Sequence, residues 1–257
     1  MTDQSQPRYR APDVATLIAG TKPYVPQKLN GAGADGLPLR FWCDLNTITP
    51  PDKLVRGLLG TASTALISGE PASGKTFLAT DIGMHIAMGW AWFGRAVTQG
   101  AVIYVAGEGA SGISNRLAAY RLRHDLPADV PFVVIPAAPN LGPSGQDAQR
   151  VVDAIGFVET RAGKAVQLVI IDTLARAMGS GDENSTQDMG QFIAACDRIR
   201  LATGASILIV HHRGKAQTGP RGSSALMGAV DTAIEVEKRE GGRAAKVMKQ
   251  KDGQDGQ

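Results

Sequence analysis

Residues 69–76 read Gly69-Glu70-Pro71-Ala72-Ser73-Gly74-Lys75-Thr76, a complete match to the pattern Gly-x-x-x-x-Gly-Lys-Ser/Thr. The glycine at each end of such a stretch lets the backbone curl, so that successive N–H groups point at one anion. The lysine adds a mobile positive charge, and the threonine hydroxyl is a suitable ligand for Mg²⁺. The stretch therefore predicts a loop that holds the phosphates of a nucleoside triphosphate.

The flanking sequence has the arrangement that this loop requires. The apolar run at 64–68 predicts a buried parallel strand, and residues 75–88 carry apolar side chains at helical spacing before Gly89. A helix that starts directly after the loop presents its positive N-terminal end to the same anion. The predicted nucleotide contacts are Gly69, Glu70, Pro71, Ala72, Ser73, Gly74, Lys75, Thr76 and Phe77.

The composition is that of an ordinary globular protein. The chain has 257 residues, of which 43% are hydrophobic and 20% charged, and its formal net charge of +3 permits nucleic-acid binding without arguing for it. Cys43 and Cys196 are isolated, which fits a reducing compartment and gives no disulfide framework. No apolar run reaches the ~18 residues of a membrane span. We therefore expect a cytoplasmic protein that does not contact a membrane.

Two regions differ in their sequence pattern. Residues 1–40 are rich in Pro, Gly, Gln and charge, which predicts a flexible N-terminal arm, either a plain tail or a docking arm. Residues 41–257 alternate apolar runs with helical patterns, which predicts an α/β domain with a mainly parallel central sheet and helices on both faces. The predicted strands are 65–68, 101–106, 132–135, 168–171, 206–210, 232–236 and 244–248, and the predicted helices are 75–88, 113–124, 146–161 and 187–203.

Acidic residues follow two of these predicted strands. Asp172 ends the apolar run that starts at 168, where a carboxylate can hold the Mg²⁺ shell together with Thr76, although an aspartate here could also simply cap a helix. Because Thr173 follows it, the Asp-Glu pair of AAA+ ATPases is absent. Glu108, between Gly107 and Gly109, is then the candidate that orients the attacking water, the alternative being an exposed turn residue.

The strand predicted at 206–210 ends in His211 and His212. A hydrogen-bond donor at this place could sense the γ-phosphate, or the pair could be an ordinary strand end. Adjacent residues point to opposite faces of a strand, and no Cys or acid lies at ligand spacing, so a zinc site is disfavoured. The basic, Gly-rich segment 213–224 that follows could track a phosphodiester backbone or be a solvated loop.

Taken together, these motifs resemble the RecA/DnaB-type ATPases, and in particular the RepA-like hexameric helicases of plasmids and phages. The resemblance covers roughly residues 41–253. The nucleotide motifs are specific to the superfamily, and Glu-Gly at 108–109 with Gly-Ser-Ser-Ala at 222–225 points to the RepA-like members. It implies a RecA-like core and a homo-oligomer, usually a hexameric ring, with ATP and Mg²⁺ bound between subunits. It also implies catalytic roles for Glu108 and Lys75 and a phosphate sensor at His211 or His212.

The family also supplies basic fingers to the neighbouring subunit from a strand that ends Lys-x-Arg-x-Gly. Lys249-Gln-Lys251-Asp-Gly253 fits this place, but Lys251 replaces the arginine and loses its planar bidentate fork. Arg213 or Arg221 could serve instead, and the two lysines could be only the charged end of a strand. Because the family adds at least one more strand, we expect the chain to be a truncated product or one piece of a longer protein.

The resemblance predicts an ATP-hydrolysing, ring-forming DNA helicase that acts on single-stranded DNA with replication or recombination partners. One alternative is a regulatory or recombination-mediator ATPase without helicase activity. A second is a small-molecule P-loop kinase, and the order of the motifs, with the glutamate on the second strand, argues against it.

Overall fold

The computed structural model describes residues 53–108, 110–212 and 224–251. All of them lie in one unit, Asp52–Gln257. The predicted arm at 1–40, the predicted domain boundary at residue 41, Cys43, Gly109, the basic segment 213–223 with Arg213 and Arg221, and Gly253 fall outside the described residues.

The described chain alternates strands and helices. The strands are β1 Lys53–Val55, β2 Leu59–Gly60, β3 Thr64–Gly69, β4 Ala101–Ala106, β5 Phe132–Ile135, β6 Val166–Asp172, β7 Ser206–His212, β8 Thr232–Arg239 and β9 Gly242–Gln250. The helices are α1 Lys75–Met88, α2 Ala110–Arg123, α3 Ala148–Ala162, α4 Leu174–Ala177, α5 Thr186–Thr203 and α6 Ser224–Ala229.

Seven strands form one sheet in the order β5-β4-β6-β7-β3-β8-β9, and β1 and β2 pair separately as an antiparallel hairpin. All pairs in the large sheet are parallel except β8 with β9. This confirms the predicted α/β RecA-like core, with β7 inserted between the strand before the phosphate loop and the strand that ends in Asp172. The β1–β2 hairpin, α4 and α6 are too short to leave a periodic pattern and were not predicted.

The central strands are buried on both faces, which is why they read as continuous apolar runs. Side chains alternate between two cores. Ile103, Val169 and Ile209 pack with α3 and α5 on one face, whereas Val102 and Ile170 pack with α1 on the other. Asp172 is two residues beyond Ile170 and therefore continues the α1 side of the sheet. None of the helices in the described residues is long and apolar enough to cross a membrane.

Candidate active site

The phosphate loop joins β3 to α1 as the sequence predicts. Gly74 caps α1 with φ 109° and ψ 9°, a backbone conformation that only glycine adopts without strain. Gly69 is constrained by space, because an added Cβ would lie 2.3 Å from the backbone oxygen of Val236. The two glycines are therefore required by the geometry of this loop.

Lys75 points back into the loop that precedes it. Its side chain is 4% exposed, and Nζ donates hydrogen bonds to the backbone oxygens of Gly69 at 3.0 Å and Glu70 at 2.8 Å. Burial lowers the pKa of the amine, and the nearby carboxylates of Asp172 and Glu108 act in the opposite direction. The loop thus holds one buried cation where a phosphate would offer it stronger, charged acceptors.

One carboxylate oxygen joins the helix to the sheet. Asp172 Oδ2 accepts a hydrogen bond from Thr76 Oγ1 at 2.9 Å and a short one from the hydroxyl of Tyr104. Tyr104 is almost fully buried, and burial together with the charge of Asp172 raises the pKa of its hydroxyl, so the group stays protonated and donates. Two residues predicted as metal ligands, Thr76 and Asp172, are therefore in direct contact.

This pair fits Mg²⁺. Mg²⁺ prefers hard oxygen ligands and is usually held by one or two protein groups together with waters and substrate phosphates. Thr76 and Asp172 supply a hydroxyl and a carboxylate at the end of the loop, and no group of three or more metal-ligating side chains occurs within the described ranges. The donor set therefore suits a metal that arrives with a nucleotide.

Glu108 follows β4 and is held by two neighbouring strand ends. Its Oε1 accepts a hydrogen bond from Thr173 Oγ1 at 3.0 Å, and His212 Nε2 lies 3.2 Å from the same oxygen. A backbone hydrogen bond also joins the ends of β4 and β6, because the N–H of Gly107 donates to the backbone oxygen of Asp172 at 2.7 Å. The Glu108 side chain remains about 50% exposed, so water reaches it.

The two histidines separate as expected for adjacent strand residues. His212 contacts Glu108, whereas His211 is 1% exposed and its Nδ1 lies 4.0 Å from Glu183 Oε2 in the loop before α5. His211 and His212 are paired in register with Ser68 and Gly69, so both lie beside the strand that enters the phosphate loop. His212 is thus in contact with the candidate catalytic glutamate, and His211 lies near Glu183.

The two lysines near the end of the chain lie elsewhere. Lys249 Nζ donates to the backbone oxygens of Met227 at 2.7 Å and Gly228 at 3.1 Å, and Lys251 Nζ lies 3.5 Å from Asp231 Oδ1. Because β9 runs antiparallel to β8, Gln250 pairs with Thr232 at the amino end of the parallel strands. Both lysines therefore lie near the amino ends of the parallel strands, whereas the phosphate loop of the same chain lies at their carboxyl ends.

A cavity of about 680 Å³ opens beside the phosphate loop. Phe77, predicted as a nucleotide contact, lines it with 60% of its surface exposed, and Arg116 Cζ lies 5.2 Å from the centre of its ring. Gly74 of the loop and Arg243 of β9 also line the cavity. An aromatic ring with a guanidinium group beside it is a lining that suits a planar nucleobase.

Three residues of this site were not predicted. Tyr104 holds Asp172, Thr173 holds Glu108, and Arg243 lies over Gly74. The sequence does mark Tyr104, because it is a polar aromatic residue in an otherwise aliphatic strand. In the sequence Thr173 only stands in the place of the glutamate of an Asp-Glu pair, and nothing local to Arg243 marks it as a site residue.

Comparison with protein-family models identifies a family that the chain matches. The model for a family described as AAA domain matches residues 37–218, which is well over half of the 257 residues. The matched range includes the phosphate loop, Glu108, Asp172 and both histidines. A comparison with curated proteins found no match.

Proposed function

The chain belongs to the AAA domain family of P-loop ATPases, and on this basis we propose that it is a RecA-type motor, a ring-forming replicative helicase that hydrolyses ATP and acts on single-stranded DNA. The observation that carries the proposal is the position of Glu108. Its carboxylate is solvent-accessible, is oriented by Thr173 and His212, and follows the strand next to the one that ends in Asp172.

Hydrolysis needs a water molecule held in line with the γ-phosphate. A carboxylate that is fixed by hydrogen bonds and still open to solvent can accept a proton from such a water and orient it. Thr173 and His212 both bind Oε1, which limits the rotation of the Glu108 side chain. Glu108 is accordingly assigned as the residue that positions the attacking water.

The remaining groups hold the triphosphate. The loop N–H groups and the N-terminal end of α1 bind phosphate oxygens, and the Lys75 amine exchanges its two backbone acceptors for the β- and γ-phosphates. Thr76 and Asp172 would hold Mg²⁺, which, when bound, neutralises charge that develops on the phosphate oxygens. The cavity beside Phe77 supplies a seat for the base.

His212 connects the candidate catalytic glutamate to a segment that could bind nucleic acid. It contacts Glu108 and is followed directly in sequence by the basic segment 213–224. A phosphodiester backbone bound by that segment would act on the end of β7 and so on the orientation of Glu108. This connection supports hydrolysis that depends on single-stranded DNA.

A regulatory ATPase without helicase activity is the second candidate, and the two lysines favour it. Lys249 and Lys251 bind groups of their own chain, and lysine lacks the bidentate geometry of the arginine that the family uses in this place. A weak trans finger would leave DNA-stimulated hydrolysis intact but would couple it poorly to strand displacement.

Mass photometry with ATP and single-stranded DNA, run beside an ATPase assay, tests the proposal. We expect ring-sized oligomers and hydrolysis that DNA stimulates and high salt suppresses. Glu108→Gln should retain ATP binding and slow hydrolysis about 100-fold or more, because the amide cannot accept the proton from water. Glu237→Gln, an exposed glutamate on β8, is the matched control and should hydrolyse ATP normally.

Two results would count against the motor. A strict monomer whose hydrolysis ignores DNA would overturn it, and normal turnover in Glu108→Gln would remove the catalytic assignment. DNA-stimulated hydrolysis without strand displacement would instead favour the regulatory ATPase.

A further inference from the structure

The β8–β9 hairpin contacts the phosphate loop at both of its glycines. An added Cβ at Gly69 would lie 2.3 Å from the backbone oxygen of Val236 on β8. An added Cβ at Gly74 would lie 2.6 Å from Cδ and 2.9 Å from Nε of Arg243 on β9. The side chain of Arg243 thus occupies the space beside Gly74, the residue that caps α1.

Among the residues that the structure describes, none pairs with the charge of Arg243. It is the second residue of β9, its side chain is exposed, and its guanidinium makes no hydrogen bond or ion pair with any residue of the described ranges. Asp81, an acid that lines the cavity, already accepts hydrogen bonds from Trp92 Nε1 at 2.8 Å and Tyr120 at 3.1 Å. The charge of Arg243 is therefore available to an anion that enters between the loop and the cavity.

The position of Arg243 indicates which phosphate group of a nucleotide it would contact. In a phosphate loop the lysine reaches the outer two phosphates, while the backbone N–H groups cradle the inner ones. A nucleotide with its base beside Phe77 and its outer phosphates at Lys75 must pass its innermost phosphate along Gly74, where Arg243 lies. The planar guanidinium can bind two oxygens of such a phosphate at once.

We propose that Arg243 is a nucleotide-positioning residue that binds the phosphate nearest the ribose, in the same chain that supplies the loop. The inference rests on the proposed ATPase function and adds a residue to it. It also separates two cationic roles, because Arg243 would bind mono-, di- and triphosphates alike, whereas a finger from a neighbouring subunit would distinguish ATP from ADP.

The test compares Arg243→Ala and Arg243→Lys with Arg239→Ala. Arg239 is an exposed arginine on the same hairpin, with Nη2 3.5 Å from Glu237 Oε2, and serves as the matched control. Affinities for ATP, ADP and AMP are measured by competition against a fluorescent ADP analogue, and KM and kcat for ATP are measured in parallel. Thermal unfolding without nucleotide shows whether each variant is folded.

We expect Arg243→Ala to weaken ATP, ADP and AMP by the same factor, about tenfold, the scale of one charge-assisted hydrogen-bond pair. KM should rise while kcat stays within about twofold, and Arg243→Lys should recover part of the loss because it keeps the charge but not the fork. Arg239→Ala should bind all three nucleotides like the wild-type chain.

Other patterns overturn the assignment. Weaker binding of ATP alone would place the contact at the terminal phosphate, and weaker binding of ATP and ADP but not AMP would place it at the second. Unchanged affinities in Arg243→Ala would refute the contact while leaving the ATPase proposal intact, whereas a wild-type chain that binds no nucleotide would refute both.

Discussion

At the scale of single residues, the site depends on side chains that hold other side chains. Asp172 reaches Thr76 through the same oxygen that Tyr104 binds, and Glu108 is held by Thr173 and His212. The buried hydrogen bond from Tyr104 to the charged Asp172 contributes about 1.5–3 kcal/mol, and the two bonds to the half-exposed Glu108 limit the rotation of its side chain. The orientation of both acids is thus set before a nucleotide binds.

Tyr104→Phe should lower the free energy of unfolding by about 1–3 kcal/mol at pH 8, because Asp172 loses a buried donor. It should also change the response to alkali. The folded chain raises the pKa of Tyr104 above the ordinary value of about 10, so above pH 10 the unfolded chain loses this proton first. Stability is then fully present below about pH 10 and falls above it.

The measurement is urea denaturation at several pH values between 8 and 11. The wild-type chain should lose up to about 1.4 kcal/mol more per pH unit above pH 10 than Tyr104→Phe, which has no phenol to ionise at this position. Parallel pH profiles for the two proteins would show that the hydroxyl is not protected by Asp172 and by burial.

At the scale of elements, α1 lies unusually close to the sheet. An added Cβ at Gly83 would lie 2.9 Å from both Ile170 Cδ1 and Phe132 Cε2, so the helix approaches β6 and β5 at a residue without a side chain. This close approach brings the first turn of α1 to the end of β6, where Thr76 meets Asp172. The close approach of the helix to the sheet therefore supports the contact between Thr76 and Asp172.

Gly83→Val should destabilise the protein by about 1–3 kcal/mol, because the added atoms overpack the core between α1 and the sheet. Gly156→Val is the matched control, since Gly156 lies in α3 with nothing within 4 Å of an added Cβ. Its free energy of unfolding should change by less than about 0.5 kcal/mol. Chemical denaturation measures the free energy of unfolding of both variants. Equal losses of stability in the two would refute the close approach of α1 to the sheet at Gly83.

At the scale of the whole molecule, nucleotide binding should stabilise the entire described domain. The loop connects β3 to α1, and its glycines contact the β8–β9 hairpin. A ligand bound in the loop would therefore stabilise β3, α1 and this hairpin together. A ligand that binds only the folded state stabilises it by about 2.7 kcal/mol when present at 100 times its Kd.

This stabilisation should appear as a rise in Tm of about 5–10 °C with ATP and Mg²⁺. Lys75→Ala should lose most of the rise, because the buried amine that faces the phosphates is gone. Glu108→Gln should keep it, since we propose that Glu108 acts in hydrolysis rather than in binding. Thermal unfolding followed by fluorescence measures all three, and an undiminished shift in Lys75→Ala would contradict the role of the loop.

The sequence by itself determined the nucleotide loop and the alternation of strands and helices. It also determined that Asp172, Glu108 and the two histidines lie at or just after the carboxyl ends of strands. These are local patterns, because turn geometry, burial of a strand and helical spacing are all encoded within a few neighbouring residues. The structure confirmed the α/β core, with shifts of a few residues at the element ends.

Only the tertiary structure decided which of these residues meet. The contact of Glu108 with Thr173 and His212 requires β4, β6 and β7 to be neighbours, an order that no local pattern specifies. Because β9 runs antiparallel to β8, Lys249 lies near the amino ends of the parallel strands and Arg243 lies beside Gly74 at their carboxyl ends. Local sequence sets the chemistry of each strand end, whereas strand order and direction, which depend on packing of the whole sheet, set the partners.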